Sequence, residues 1–279
     1  MPKSLLLNCA GKPLDLNHPK VMGILNLTPD SFSDGGRFNI WDDALRHAVQ
    51  MVEEGAAIID IGGESTRPGA QPVSVDEELE RVIPLIEALA NEIPVPISVD
   101  TSKAQVMREA VSAGAGMIND IMALREPGAL QVVAEAGVPV CLMHMQGEPR
   151  MMQNAPHYEQ VITEVKTFLQ ARLNACMQAG ISHDRVILDP GFGFGKTLAH
   201  NLELLKNLDQ FESLNLPLLV GISRKSMIGA LLGDRPVNER LFGSLAAAVV
   251  AAMKGGAIIR AHDVRATVDA MKIVSVVRS

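Results

Sequence analysis

Two aspartates, Asp100 and Asp189, close short apolar runs in Ser98-Val99-Asp100-Thr101 and Ile187-Leu188-Asp189-Pro190. A carboxylate fixed at such a point can accept two parallel hydrogen bonds from an amidine-like edge, the edge that a guanine or a pterin presents. Asn119, at the end of a third run, both donates and accepts, which suits a ring edge with mixed groups. Helix capping is the competing use, since Asp100 lies two residues before Ser102-Lys103. Cations close two later runs, Gly221-Ile222-Ser223-Arg224-Lys225-Ser226 and Ile259-Arg260-Ala261-His262-Asp263. Lys225 can contact a ligand ring. Arg260 and His262, two apart on one strand and so on one side of it, can hold an anion.

Three glycine-bearing blocks accompany these residues. The stretch from Asn26 to Gly36 holds Pro, Ser, Asp and paired Gly after an apolar run, and reads either as a lid or as an ordinary polar connection. Asn26 at its start offers an amide oxygen to a Mg²⁺ shared with phosphate oxygens. Gly62-Gly63-Glu64-Ser65-Thr66-Arg67-Pro68-Gly69 sets an Arg suited to bidentate phosphate contact among residues that allow close approach, against the plainer reading of a surface turn. Gly191-Phe192-Gly193-Phe194-Gly195-Lys196-Thr197 has the end of a nucleotide-binding loop, but Pro190 stands where the first glycine is required. Proline fixes φ and lacks the N–H, so the glycines instead let the loop approach a flat ligand, with a Phe closing over it. His144 reads as a satisfied core histidine. The seven histidines are dispersed, which weighs against a metal centre of protein ligands alone.

The elements that must position these residues are eight short apolar runs: Val21–Leu27, Ala57–Gly63, Pro96–Asp100, Met117–Ile121, Val138–His144, Val186–Asp189, Leu216–Ser223 and Ala257–His262. Mostly helical stretches separate them, so the pattern is eight βα units and the expected fold is α/β, a (β/α)8 TIM barrel whose strand ends converge on one catalytic face. A length of 279 residues and a composition 47% hydrophobic and 20% charged fit a single domain over 1–279, with parallel strands covered on both faces. Ahead of the barrel, residues 1–20 predict a β-hairpin that plugs its amino-terminal end, with Asn8 and Gly11 supplying the turn. Ser74 and Glu77 have capping-box spacing before a helix over Glu78–Leu89. Glu239–Lys254 is apolar nearly all round, as expected either of internal packing or of a subunit interface.

The blocks Gly23–Asp34, Asp60–Gly69, Ser98–Lys103, Asn119–Ile121, Leu142–Gly147, Leu188–Lys196, Gly221–Met227 and Ile259–Val264, taken in order, resemble the bacterial dihydropteroate synthases of folate biosynthesis from about residue 4 to the end. The resemblance implies condensation of 6-hydroxymethyl-7,8-dihydropterin diphosphate with p-aminobenzoate, giving 7,8-dihydropteroate and diphosphate with Mg²⁺. It implies that Asp100, Asn119, Asp189 and Lys225 hold the pterin and form the catalytic set, with Ile121, Met143, Phe194 and Gly221 beside the ring. By the same likeness Asn26, Arg67, Arg260 and His262 take metal and diphosphate, and Phe32, Thr66, Pro68 and Ser226 form the amine site. The loops carrying Phe32, Thr66 and Pro68 are expected to be drawn together by diphosphate before p-aminobenzoate binds.

Two other readings share parts of this pattern. A pterin-binding barrel that transfers methyl groups from methyltetrahydrofolate has similar carboxylates and Asn but no use for Arg67 and Arg260, and a non-catalytic pterin-binding protein would hold the ring without turnover. A net charge of −7 with scattered Lys and Arg gives no nucleic-acid footprint, so the expected partners are small-molecule substrates and a second copy in a homodimer. Cys9, Cys141 and Cys176 form no CxxC pair, and no apolar stretch reaches membrane-spanning length. A cytoplasmic protein is expected.

Overall fold

The computed structural model describes residues 5–27, 37–65, 71–147, 151–153 and 155–278, with backbone alone at 37–40. The hairpin is β1 (Leu6–Cys9) and β2 (Lys12–Asp15), with Leu7 opposite Leu14. Eight parallel strands follow: β3 (Lys20–Asn26), β4 (Ile58–Gly62), β5 (Ile97–Asp100), β6 (Met117–Asp120), β7 (Val140–Met143), β8 (Val186–Asp189), β9 (Leu218–Val220) and β10 (Gly256–Ala261). They close into a barrel in sequence order, with β10 pairing back onto β3. Each sequence run contains or overlaps its strand. The helices α1 (Arg37–Glu53), α2 (Val75–Ala90), α3 (Ala104–Ser112), α4 (Ala129–Ala136), α5 (Val161–Gln178), α6 (Leu198–Lys206), α7 (Ser226–Leu231), α8 (Leu241–Met253) and α9 (Val264–Arg278) lie between and after them. Two of these, α7 and α8, fill the step from β9 to β10.

The strands β4, β6, β7 and β8 are buried at every position, as parallel strands under helices must be, and this is why they read as unbroken apolar runs. The hairpin closes the amino-terminal end: Leu7, Cys9, Leu14 and Leu16 pack with Met22, Ile58, Met117, Cys141, Ile187, Leu219 and Ile258 from the strand starts. Backbone approaches there so closely that a Cβ on Gly116 would lie 2.5 Å from the Cys9 carbonyl oxygen. Lys12 Nζ fastens the plug by donating to the carbonyls of Ala90 (2.9 Å), Ile93 (2.7 Å) and Val95 (3.3 Å). The Ser74–Glu77 capping box is present and starts α2 at Val75 rather than Glu78. With one end stoppered, the carboxyl ends of the strands form the open mouth.

Candidate active site

Strand register puts Asn26, Gly62, Asp100 and Asn119 on one rung of β3 to β6. Gly62 carries no side chain between its neighbours. A Cβ there would lie 3.5 Å from both Asn26 Oδ1 and Asp100 Cβ, so the Asn26 amide oxygen and the Asp100 side chain converge over it. Two residues earlier on β4, Asp60 points the same way by strand alternation and is fully buried. Arg260 reaches in from β10, with Nε donating to Asp60 Oδ2 at 2.6 Å and Nη2 to Asp100 Oδ2 at 2.8 Å. Asn119 Nδ2 donates to the same Asp60 oxygen at 3.2 Å, while Asp60 Oδ1 has no partner among the described residues.

This network assigns charge. Burial works against the Arg260 guanidinium, but Asp60 and Asp100 hold it protonated and raise its pKa. Two carboxylates share that one guanidinium, so burial pushes the Asp100 carboxyl up, Arg260 opposes it, and the Asp60 charge adds to the rise. Both bonds use the Nε side of the guanidinium, and its Nη1 makes no hydrogen bond to a described residue. Arg260, read from sequence as an anion holder, is thus first a bridge between carboxylates, with one edge remaining for an oxyanion. Asp100 caps no helix, because α3 starts at Ala104 without a side-chain cap.

Across the mouth, Asp189 ends β8 opposite Met143 on β7. Its Oδ1 accepts from Gly191 N at 2.7 Å; burial raises its pKa, with Lys225 and that N–H opposing. Lys225 Nζ donates to the Phe192 carbonyl and lies 4.4 Å from the Phe194 ring centroid. Burial brings its pKa down to about 8 against the pull of Asp189. Met143, Met145 and Met152 pack with Ile121, Met122 and Phe194 into an apolar wall between the two carboxylate groups. Gly221 follows the end of β9 beside Arg260, and Ser226 starts α7 exposed. His262 Nδ1 lies 3.0 Å from Ser223 Oγ.

The structure therefore gathers Asn26, Asp100, Asn119, Ile121, Met143, Asp189, Phe194, Gly221, Lys225, Arg260 and His262 at the strand ends. Phe32, Thr66, Arg67 and Pro68 lie outside the described residues. Asp60 is a site residue not expected from the sequence, although a lone acidic residue inside the apolar run Ala57–Gly63 is a signal for it. Lys196, likewise not expected, is buried and donates to Gly191 O (2.9 Å) and Phe194 O (3.0 Å), with His144 Nδ1 at 2.9 Å. Its amine is turned into the protein, whereas a nucleotide-binding loop would direct it at phosphate. Burial pulls Lys196 down to about 7 and His144 to about 2, so His144 is neutral in the core, edge-on to Phe168.

Among the described residues no group of three or more His, Cys, Asp or Glu could hold a metal ion. The donor at hand for a hard cation is the Asn26 amide oxygen beside Asp100. That fits Mg²⁺, which keeps water and phosphate oxygens as its remaining ligands.

The model of a family described as pterin binding enzyme matches residues 22–262. The chain is 61% identical over 264 residues to the dihydropteroate synthase of Escherichia coli strain K12, covering 95% of this chain and 93% of that one. Among solved structures it resembles the Xanthomonas albilineans dihydropteroate synthase with 4-aminobenzoic acid, at 52% identity and TM-score 0.94 over 99% of each chain. It also resembles the Xanthomonas albilineans enzyme in complex with 7,8-dihydropteroate, at 50% identity and TM-score 0.90 over 98% of this chain and 99% of that one.

Proposed function

The chain belongs to the pterin-binding enzyme family, among its dihydropteroate synthases, and from that membership we propose how its residues carry the reaction. The reaction is a transfer in which 6-hydroxymethyl-7,8-dihydropterin diphosphate and p-aminobenzoate give 7,8-dihydropteroate and diphosphate. The observation that carries the assignment of roles is the pair of carboxylates at the strand ends, the half-buried Asp100 bound by Arg260 and the buried Asp189 under the charge of Lys225, with a methionine-rich apolar wall on β7 and the loops beside them. Asp189 accepts from the amidine-like edge of the pterin, Asn119 and Asp100 read the remaining ring groups, and Lys225 and Phe194 lie against the ring.

The C–O bond to diphosphate breaks ahead of C–N bond formation, in an SN1-like path. Positive charge then grows on the ring methylene, where the carboxylates stabilise it, while Arg260 and His262 stabilise the departing polyanion. Ser223 fixes the His262 ring through Nδ1. The amine lone pair of p-aminobenzoate forms the new bond and its proton passes to water. Phe32, Thr66, Pro68 and Ser226 are assigned to the amine and Arg67 to diphosphate by resemblance.

Mg²⁺ held by Asn26 would neutralise charge on the diphosphate. Asn26 orients that end of the substrate, and Gly62 keeps the space beside it open. Calorimetry tests these roles: binding of pterin diphosphate should require Mg²⁺ and weaken in Asn26→Ala, whereas bare hydroxymethyl pterin should bind the same in both proteins with or without the ion. Equal Mg²⁺ dependence for the two ligands would remove Asn26 from the diphosphate end.

A homodimer is supported by exposed apolar side chains on adjacent helices: Phe242 is 79% exposed on α8, and Ile273, Val276 and Val277 are 67–77% exposed on α9. Apolar side chains of this size exposed on two packed helices are costly on a free surface and fit contact with a second copy of the chain. A cytoplasmic setting is supported by three buried, unpaired cysteines, as reducing conditions leave them. No helix among the described residues is long and apolar enough to cross a membrane.

A further inference from the structure

The loop between β8 and α6 is held almost wholly by side chains. From residue 191 to 196 every carbonyl is taken by a side-chain donor: Gly191 and Phe194 by Lys196 Nζ, Phe192 by Lys225 Nζ, Gly193 by Gln153, Gly195 by Tyr158 and Lys196 by Asn201. Lys196 is a buried donor, 3% exposed, with the His144 carbonyl (3.5 Å) and His144 Nδ1 (2.9 Å) completing its surroundings. Gly191, at φ +71°, passes so close to β7 that a Cβ would lie 1.8 Å from the His144 oxygen, so the loop cannot relax inward. The peptide groups on either side of Gly191 link this amine to the site: Lys196 Nζ binds its carbonyl, and its N–H binds Asp189 Oδ1.

We propose that Lys196 is a positioning residue for pterin recognition, an internal amine around which the loop is wrapped so that Asp189 and Phe194 meet the ring in one fixed arrangement. It acts through Gly191 on Asp189 and through the Phe194 carbonyl on the Phe194 ring, and it touches no substrate. Loss of the amine donor from a set of oriented carbonyls leaves buried acceptors unpaired, which frees the loop to rearrange. The inference rests on the assignment of the pterin to this mouth.

The test pairs two lysines of matching chemistry. Lys12 also binds three carbonyls, but at the plugged end of the barrel. Lys196→Met should raise the dissociation constant for pterin diphosphate about ten- to a hundredfold, with a matching rise in its KM and little change in the KM for p-aminobenzoate. Lys12→Met should lower thermal stability and leave both constants as in the unaltered protein. Lys196→Gln, which keeps an N–H donor, should show the same split in smaller measure. Failure of the unaltered protein to bind pterin would overturn the site assignment itself. Unchanged pterin affinity in folded Lys196→Met, equal shifts in the Lys12 and Lys196 variants, or failure of both Lys196 variants to fold would reduce Lys196 to a folding role and overturn the proposal.

Discussion

Arg260 and Asp60 lie 200 positions apart in sequence yet meet at 2.6 Å, reaching past β3, the strand that lies between theirs in the barrel. The contact joins the last strand to the second and makes Arg260 part of the fold as well as of the site. Its side chain is 19% exposed, and its partners Asp60 and Asp100 are 0% and 12% exposed. Arg260→Ala therefore leaves two buried carboxylates without their cation, and stability should fall by about 3–5 kcal/mol. Among the molecules that still fold, affinity for pterin diphosphate and free diphosphate should fall far more than affinity for bare hydroxymethyl pterin. Denaturant melts and calorimetry check both halves. An equal loss for all three ligands would confine Arg260 to structure.

Asp189→Asn should abolish pterin binding while leaving the fold in place. The Gly191 N–H requires an oxygen at Oδ1, so the new amide must turn its NH₂ toward the ligand, where the ring's donors need an acceptor. Losing that charged hydrogen bond costs roughly 1.5–3 kcal/mol, and the donor-to-donor contact adds to it. Calorimetry showing unchanged pterin affinity would sink the assignment of Asp189 to the ring.

Most of this site was legible because strand ends in a parallel barrel are marked by a polar residue after an apolar run. Asp100, Asn119, Asp189 and Arg260 could be placed on one face from spacing alone. Their partnerships could not. Which carboxylate Arg260 meets depends on reach across the closed barrel, and nothing local to Ile259-Arg260-Ala261 names Asp60. Asp60 was hidden because a buried acid in mid-strand looks like a defect in the run until a cation from another strand is seen beside it. Lys196 went unassigned for another reason, since once Pro190 excludes a nucleotide-binding loop nothing in Gly195-Lys196-Thr197 shows that the side chain is drawn inward by carbonyls.

Pterin affinity should rise with pH through the acid range and then level off. Burial raises both Asp100 and Asp189, and only the ionised forms accept from the ring, so protonation competes with ligand below those raised pKa values. Binding should accordingly release protons at about pH 5 and none at about pH 8, as read by calorimetry in buffers of different ionisation enthalpy. A flat affinity profile with no proton release would mean that neither carboxylate faces the ring.

Phe242→Asp should shift the protein from dimer to monomer in sedimentation equilibrium without altering the pterin site, because it replaces the most exposed large apolar side chain of α8 with a charge. An unchanged mass would place any subunit contact elsewhere.

The most direct measurement is a product balance with purified protein, pterin diphosphate, p-aminobenzoate and Mg²⁺. Diphosphate and 7,8-dihydropteroate should appear mole for mole when both substrates are present, and no 7,8-dihydropteroate should form when p-aminobenzoate is left out. Tight pterin binding without diphosphate release, or methyl transfer from methyltetrahydrofolate in its place, would contradict the proposed reaction.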